Sequence, residues 1–162
     1  MKKAIALTLP VALILAACGG DDTTGSTPTG PVPSIAGSYG GYWLVQFRRH
    51  HDGYSGSFYC YGSVTLAQSA SGTLTGFAVV NSSCPPSSFD LTGGVDAQGT
   101  IRFMSGGPQP PVGQCPAATG ATYSGVVTGP SLSARASVEL ECPGPGEGTH
   151  TFDYILQAYK SS

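Results

Sequence analysis

Apolar and polar residues alternate one for one through Leu132-Ser133-Ala134-Arg135-Ala136-Ser137-Val138-Glu139-Leu140. A period of two belongs to a strand with one buried face and does not fit a helix. The same period runs through Tyr39, Gly41, Trp43, Val45 and Phe47, through Phe89, Leu91, Gly93 and Val95, and through Phe152, Tyr154, Leu156 and Ala158. Weaker alternation over 57–68, 73–80, 100–104 and 121–128 brings the expectation to about eight strands. Turn-forming residues at 69–72, 96–99 and Gly129-Pro130 make three tight connections. In an up-and-down order these fall at one end, and the longer connections 48–56, 81–88, 105–120 and 141–148 fall at the other. No helical period is long enough to cover a sheet face, so the sheet has to bury its apolar side against itself. The pattern therefore predicts an all-β domain over 36–160, a single antiparallel up-and-down barrel, with a two-sheet β-sandwich as the alternative. Eight strands close into a barrel that is filled by side chains or holds one small ligand.

Composition agrees with short strands and many turns: 24 glycines and 13 prolines, with 10% charged residues. Fifteen aromatic residues (8 Tyr, 6 Phe, 1 Trp) argue that the region after residue 38 folds. A barrel embedded in lipid is disfavoured, because Ser133, Arg135, Ser137 and Glu139 would then face hydrocarbon.

The first seventeen residues have the layout of an export signal. Lys2 and Lys3 make a basic start, 4–16 is an apolar run, and small residues follow. That run is too short for a comfortable membrane helix of about 20 residues. Leu15-Ala16-Ala17-Cys18 resembles the lipobox of bacterial lipoproteins. The resemblance implies cleavage before Cys18, diacylglycerol on its sulfur and acylation of the new N-terminus. Gly19 and Gly20 stand where that family's inner-membrane proteins carry Asp, which implies a lipid-anchored place in the cell envelope at the outer membrane. The stretch after Cys18, to residue 35, has the Gly, Ser, Thr and Pro content of a flexible linker. Loss of Lys2 and Lys3 leaves five basic residues against nine acidic ones, a net charge near −4. That balance gives no reason to expect nucleic acid as a partner.

Four further cysteines in an exported chain predict two disulfides. The meander places all four at the long-loop end, and neighbour distance favours Cys60 with Cys84 and Cys115 with Cys142. No Cys-x-x-Cys spacing suggests zinc.

Gly41-Tyr42-Trp43 resembles the Gly-x-Trp that lipocalins and avidins, the calycin group, carry in their first strand. Lys160 stands where those barrels place a basic residue at the end of the last. The second lipocalin motif and the helix after the eighth strand are missing. What the resemblance implies is the barrel, with a small apolar or amphipathic ligand held in its mouth near Trp43, Phe152 and Tyr154. Plain core packing is the other reading of those three side chains.

His50, His51 and Asp52 end the first strand, and Glu147 and His150 begin the last. Closure of the barrel would pair these strands, so His50, His51 and His150 are the candidate ligands of a transition metal. No Gly-x-Ser-x-Gly or His-Glu-x-x-His motif points to catalysis, and neither an enzyme nor a cofactor is expected. The expected role is that of an envelope lipoprotein binding a small ligand. One alternative is an interaction or inhibitor module that meets an envelope protein through its disulfide-stapled loops. The other is a structural surface lipoprotein without a pocket.

Overall fold

The computed structural model describes residues 30–82, 87–106, 115 and 120–162. These form eight strands: β1 (Gly37–Arg49), β2 (Ser55–Gln68), β3 (Thr73–Ser82), β4 (Ser87–Val95), β5 (Thr100–Ser105), β6 (Thr122–Thr128), β7 (Ser131–Cys142) and β8 (Gly148–Lys160). Each pairs antiparallel with the next, and β8 pairs with β1, so the sheet is a closed barrel and not a sandwich. The closing seam runs from Tyr39 opposite Lys160 to Arg49 opposite His150. That register carries β1 beyond the alternating stretch and shortens its connection to β2 to 50–54.

The alternation does what its period requires. Along β8, His150, Phe152, Tyr154, Leu156 and Ala158 are buried. On β7, Leu132, Ala134 and Ala136 point inward, while Arg135, Ser137 and Glu139 are exposed. Such a wall keeps its apolar side inside, the inverse of a barrel set in hydrocarbon.

Aromatic rings fill the interior. Trp43 meets Phe89 edge to face at 6.3 Å, Phe103 stacks on Tyr123 at 5.0 Å, and Phe152 lies between Phe47 and Tyr154 at 6.3 and 6.5 Å. The inward glycines leave no room for a ligand. A Cβ on Gly41 would sit 2.1 Å from the Gln157 carbonyl oxygen, and one on Gly125 1.9 Å from that of Ser133. Gly62, Gly76 and Gly93 are crowded by neighbouring backbone in the same way. These positions let adjacent strands close in on each other, which a tightly coiled small barrel needs.

At the tight-turn end, Gly72 and Gly99 adopt φ of 83° and 77°, the left-handed region that closes each turn. The same end is covered by chain that the sequence pattern assigns to the linker. Ile35 is part of the core and Val32 packs on it. The Gln68 amide receives the Ile35 N–H at 2.7 Å and donates to the Pro33 carbonyl at 2.9 Å. The Tyr39 hydroxyl donates to the Ile35 carbonyl at 2.6 Å. Residues 32–35 therefore belong to the barrel, because an apolar floor was needed there. Residues 1–29, with Cys18, lie outside the described residues.

Candidate functional site

The three residues expected to line a ligand pocket are core. Trp43, Phe152 and Tyr154 expose 2%, 0% and 1% of their surfaces. Burial pushes the Tyr154 and Tyr123 phenols up, far above the ordinary value of 10. The Trp43 indole approaches Tyr123, but at a geometry short of a hydrogen bond, so its N–H is buried without a partner. Lys160 does lie on the strand beside β1. Its register partner is Tyr39, four residues before Trp43, and its side chain lies over Gly37.

At the long-loop end β1 and β8 do come together, yet the histidines face different ways. Arg49 and His150 are register partners and share the inner face. His50, one residue on, points outward, with its Nε2 2.7 Å from Thr151 Oγ1 and 3.9 Å from Glu139. His51 is exposed in the turn, 3.8 Å from Asp52. Strand closure unites the backbones while the period of two separates the imidazoles. Among the described residues the one group of three potential metal ligands within mutual reach is Cys115, Cys142 and His150.

Cys115 and Cys142 form a disulfide, as the meander predicts, tying the long β5–β6 connection to the end of β7. Cys60 is fully buried and disulfide-bonded. Cys84, its expected partner, lies outside the described residues. Against the Cys115–Cys142 pair sits His150, 5% exposed, with Nδ1 3.6 Å from Cys115 Sγ. Its Nε2 is 3.2 Å from a Glu147 oxygen but too far off line to make a hydrogen bond. Glu147 is in turn 3.5 Å from Arg49. The Arg49 guanidinium also grips Asp52 and lies over the Tyr54 ring at 5.2 Å. Held by those hydrogen bonds and by the Tyr54 N–H, the Asp52 carboxyl stays well below the usual carboxylate range.

Two hollows open on the outer wall beside this cluster. One, of about 400 Å³, is lined by Gln46, Arg48, Ser55, Ser57, Thr151 and Asp153. The other, of about 300 Å³, lies between Arg48, Arg49, His50 and Gly53. Arg48 borders both. Among the described residues no ion pair forms between Arg48 and Asp153, although both line the first hollow. Further along the wall Tyr42 packs edge-on against Tyr59 at 5.3 Å and Tyr61 at 6.3 Å. Tyr59 and Tyr61 are about half exposed.

Sequence reasoning missed two of these features. The first does leave a sign in the sequence, since Cys142 and His150 both occupy even-numbered inward positions flanking one connection. The Arg48 hollow needs the β8–β1–β2 register, which no local pattern supplies. Neither a family model, nor a curated protein, nor a solved structure matches this chain.

Proposed function

We propose that the chain is a lipoprotein of the cell envelope, anchored through Cys18 at the outer membrane, and that its barrel is a recognition module for an envelope protein. The lipobox-like Leu15-Ala16-Ala17-Cys18 and the linker composition that follows support the anchor. The observation that carries the second half is where free surface and free charge lie. The interior is packed with Trp43, Phe89, Tyr123, Phe152 and Tyr154, whereas Arg48, which makes no ion pair among the described residues, and the hollows beside it sit outside, next to the disulfide-stapled loop end. Stapled loops lose little entropy on docking, which favours a binding edge. No enzymatic role is proposed. His50 meets Thr151 and Glu139 with the same ring nitrogen, so among the described residues it has no separate orienting partner of the kind a hydrolase relay uses.

The test is capture of envelope proteins on the folded chain, read by quantitative mass spectrometry, beside Arg48→Glu and Tyr54→Ala variants. A partner retained by the natural chain and lost from Arg48→Glu supports the module. Capture that is identical on all three chains removes the assignment of the surface.

The partnerless Trp43 N–H favours a second reading, a small ligand carrying an acceptor within the barrel. Native mass spectrometry of the purified chain separates the two. A bound organic mass that disappears in Trp43→Phe supports the carrier, and a bare mass returns weight to the module.

A further inference from the structure

We propose that Cys115, Cys142 and His150 form a redox-gated Zn2+ site, closed while the disulfide is intact and opened when a dithiol reduces it. The three ligand atoms already lie within 4.8 Å of one another, and all three residues are buried. In a tetrahedral zinc centre with Zn–S near 2.3 Å and Zn–N near 2.0 Å, neighbouring ligand atoms stand roughly 3.5–3.8 Å apart. Cys115 Sγ and His150 Nδ1 stand at 3.6 Å. The two sulfurs have to separate from their bond, and Cys142 Sγ has to settle from within 4.8 Å of the other two ligand atoms to the same spacing.

A second observation points the same way. His150 Nε2 is buried with no hydrogen-bond partner, and a Glu147 carboxylate oxygen lies 3.2 Å away. A metal on Nδ1 requires the ring proton on Nε2, and a small turn of the Glu147 side chain would bring its oxygen, now off line at 3.2 Å, onto that proton. The result would be the carboxylate–histidine–zinc arrangement, in which the outer carboxylate orients the ring and raises its basicity. Arg49, 3.5 Å from Glu147, holds the carboxylate in turn. Thiolate and imidazole together suit zinc better than the hard cations.

The chemistry balances in two steps. The dithiol delivers two electrons and two protons to the sulfur–sulfur bond and leaves as its own cyclic disulfide. The two thiols then release their protons to solvent as Zn2+ takes two thiolates and the His150 Nδ1 lone pair, with a fourth position left for water. The return step is thiol–disulfide exchange with a small-molecule disulfide: its sulfur–sulfur bond takes the two electrons, with two protons from solvent, and leaves as two thiols, the Cys115–Cys142 bond re-forms, and the ion is expelled. The site does not rest on the recognition surface proposed above, although the Cys115–Cys142 bridge and Arg49 belong to both.

Co2+ is the probe, added to the purified full chain either oxidised or reduced with excess dithiol that is removed anaerobically beforehand. The expected result is one Co2+ per chain in the reduced protein alone, with sulfur-to-cobalt charge-transfer absorption, tetrahedral visible bands and displacement by Zn2+. Cys115→Ser and Cys142→Ser should each abolish the charge-transfer band, and the double variant Cys60→Ala, Cys84→Ala should keep it. Glu147→Gln should weaken Zn2+ binding by about 10- to 100-fold, as loss of an orienting carboxylate does. His150→Gln should weaken it at least as much. The proposal is overturned if the reduced chain shows no charge-transfer band, if Cys115→Ser keeps it, or if His150→Gln and Glu147→Gln both bind as the natural chain does. A reduced chain that loses its near-ultraviolet aromatic dichroism and binds no cobalt overturns it too, because the site depends on the barrel holding His150 against the sulfurs.

Discussion

Arg49 holds Asp52 by two hydrogen bonds, Nε to Oδ1 at 3.0 Å and Nη2 to Oδ2 at 2.6 Å, and so pins the β1–β2 turn from within. The consequence is a dependence on acid. A carboxyl lowered in the folded state stabilises above its ordinary value of 3.8 and loses that contribution as pH falls toward the folded value. The melting temperature of Asp52→Asn should lie below that of the natural chain at neutral pH. The gap should narrow below about pH 4, where an ordinary aspartate begins to protonate. A gap of constant size from pH 7 to pH 2 would show that the charge on Asp52 contributes nothing.

The interior makes the opposite demand at alkaline pH. Tyr123 and Tyr154 are raised by burial, so the folded barrel keeps them neutral while the unfolded chain ionises them from about pH 10 upward. Stability should fall as pH rises above that point. In a spectrophotometric titration these two phenols should ionise only together with loss of the barrel's aromatic dichroism, and smooth titration of all eight tyrosines in a folded chain would contradict the burial.

The crowded glycines give a sharp contrast within one strand. Gly41→Ala forces a methyl group into the β8 backbone and should cost about 1–3 kcal/mol or prevent folding. Gly40→Ala, one residue away on the outer face with Ser161 Oγ no nearer than 4.0 Å, should stay within about 0.5 kcal/mol of the natural chain. Denaturant unfolding of the two variants reads the difference directly.

Opening the Cys115–Cys142 bridge, which spans 27 residues, should cost about 3–4 kcal/mol if loop closure in the unfolded chain is the main effect. The double variant Cys115→Ala, Cys142→Ala should therefore unfold at clearly lower denaturant. An unchanged midpoint would show that the long β5–β6 connection is already held by other contacts.

The fold was legible because each strand buries one face, and that constraint is written residue by residue. Leu132 to Leu140 alternates because the β7 wall separates aromatic core from water, and the turn glycines mark where the chain must reverse. The cysteine pairing of 115 with 142 followed from strand order alone. The site was less legible, since it depends on parity across strands far apart in sequence. His50 and His150 sit at one seam, yet a single-residue offset sends them to opposite faces. The work of Gly41 and Gly125 was not legible, because sequence does not report how closely a neighbouring backbone approaches. Ile35 looked like linker because one apolar residue among prolines carries no period.

The floor of the barrel has a mechanical meaning. Tension applied to the chain before Gly30 reaches the Gln68 amide clamp and the seated Ile35 before it reaches β1. Beyond that point β1 is bonded along both edges, to β2 from Gly37 to Arg48 and to β8 from Tyr39 to Arg49. A pull along the strand must therefore shear two ladders together and cannot peel them open bond by bond. Residues 32–35 are thus a hook mounted on a strand held along both edges, and a pull on them should unseat the hook before it disturbs the barrel.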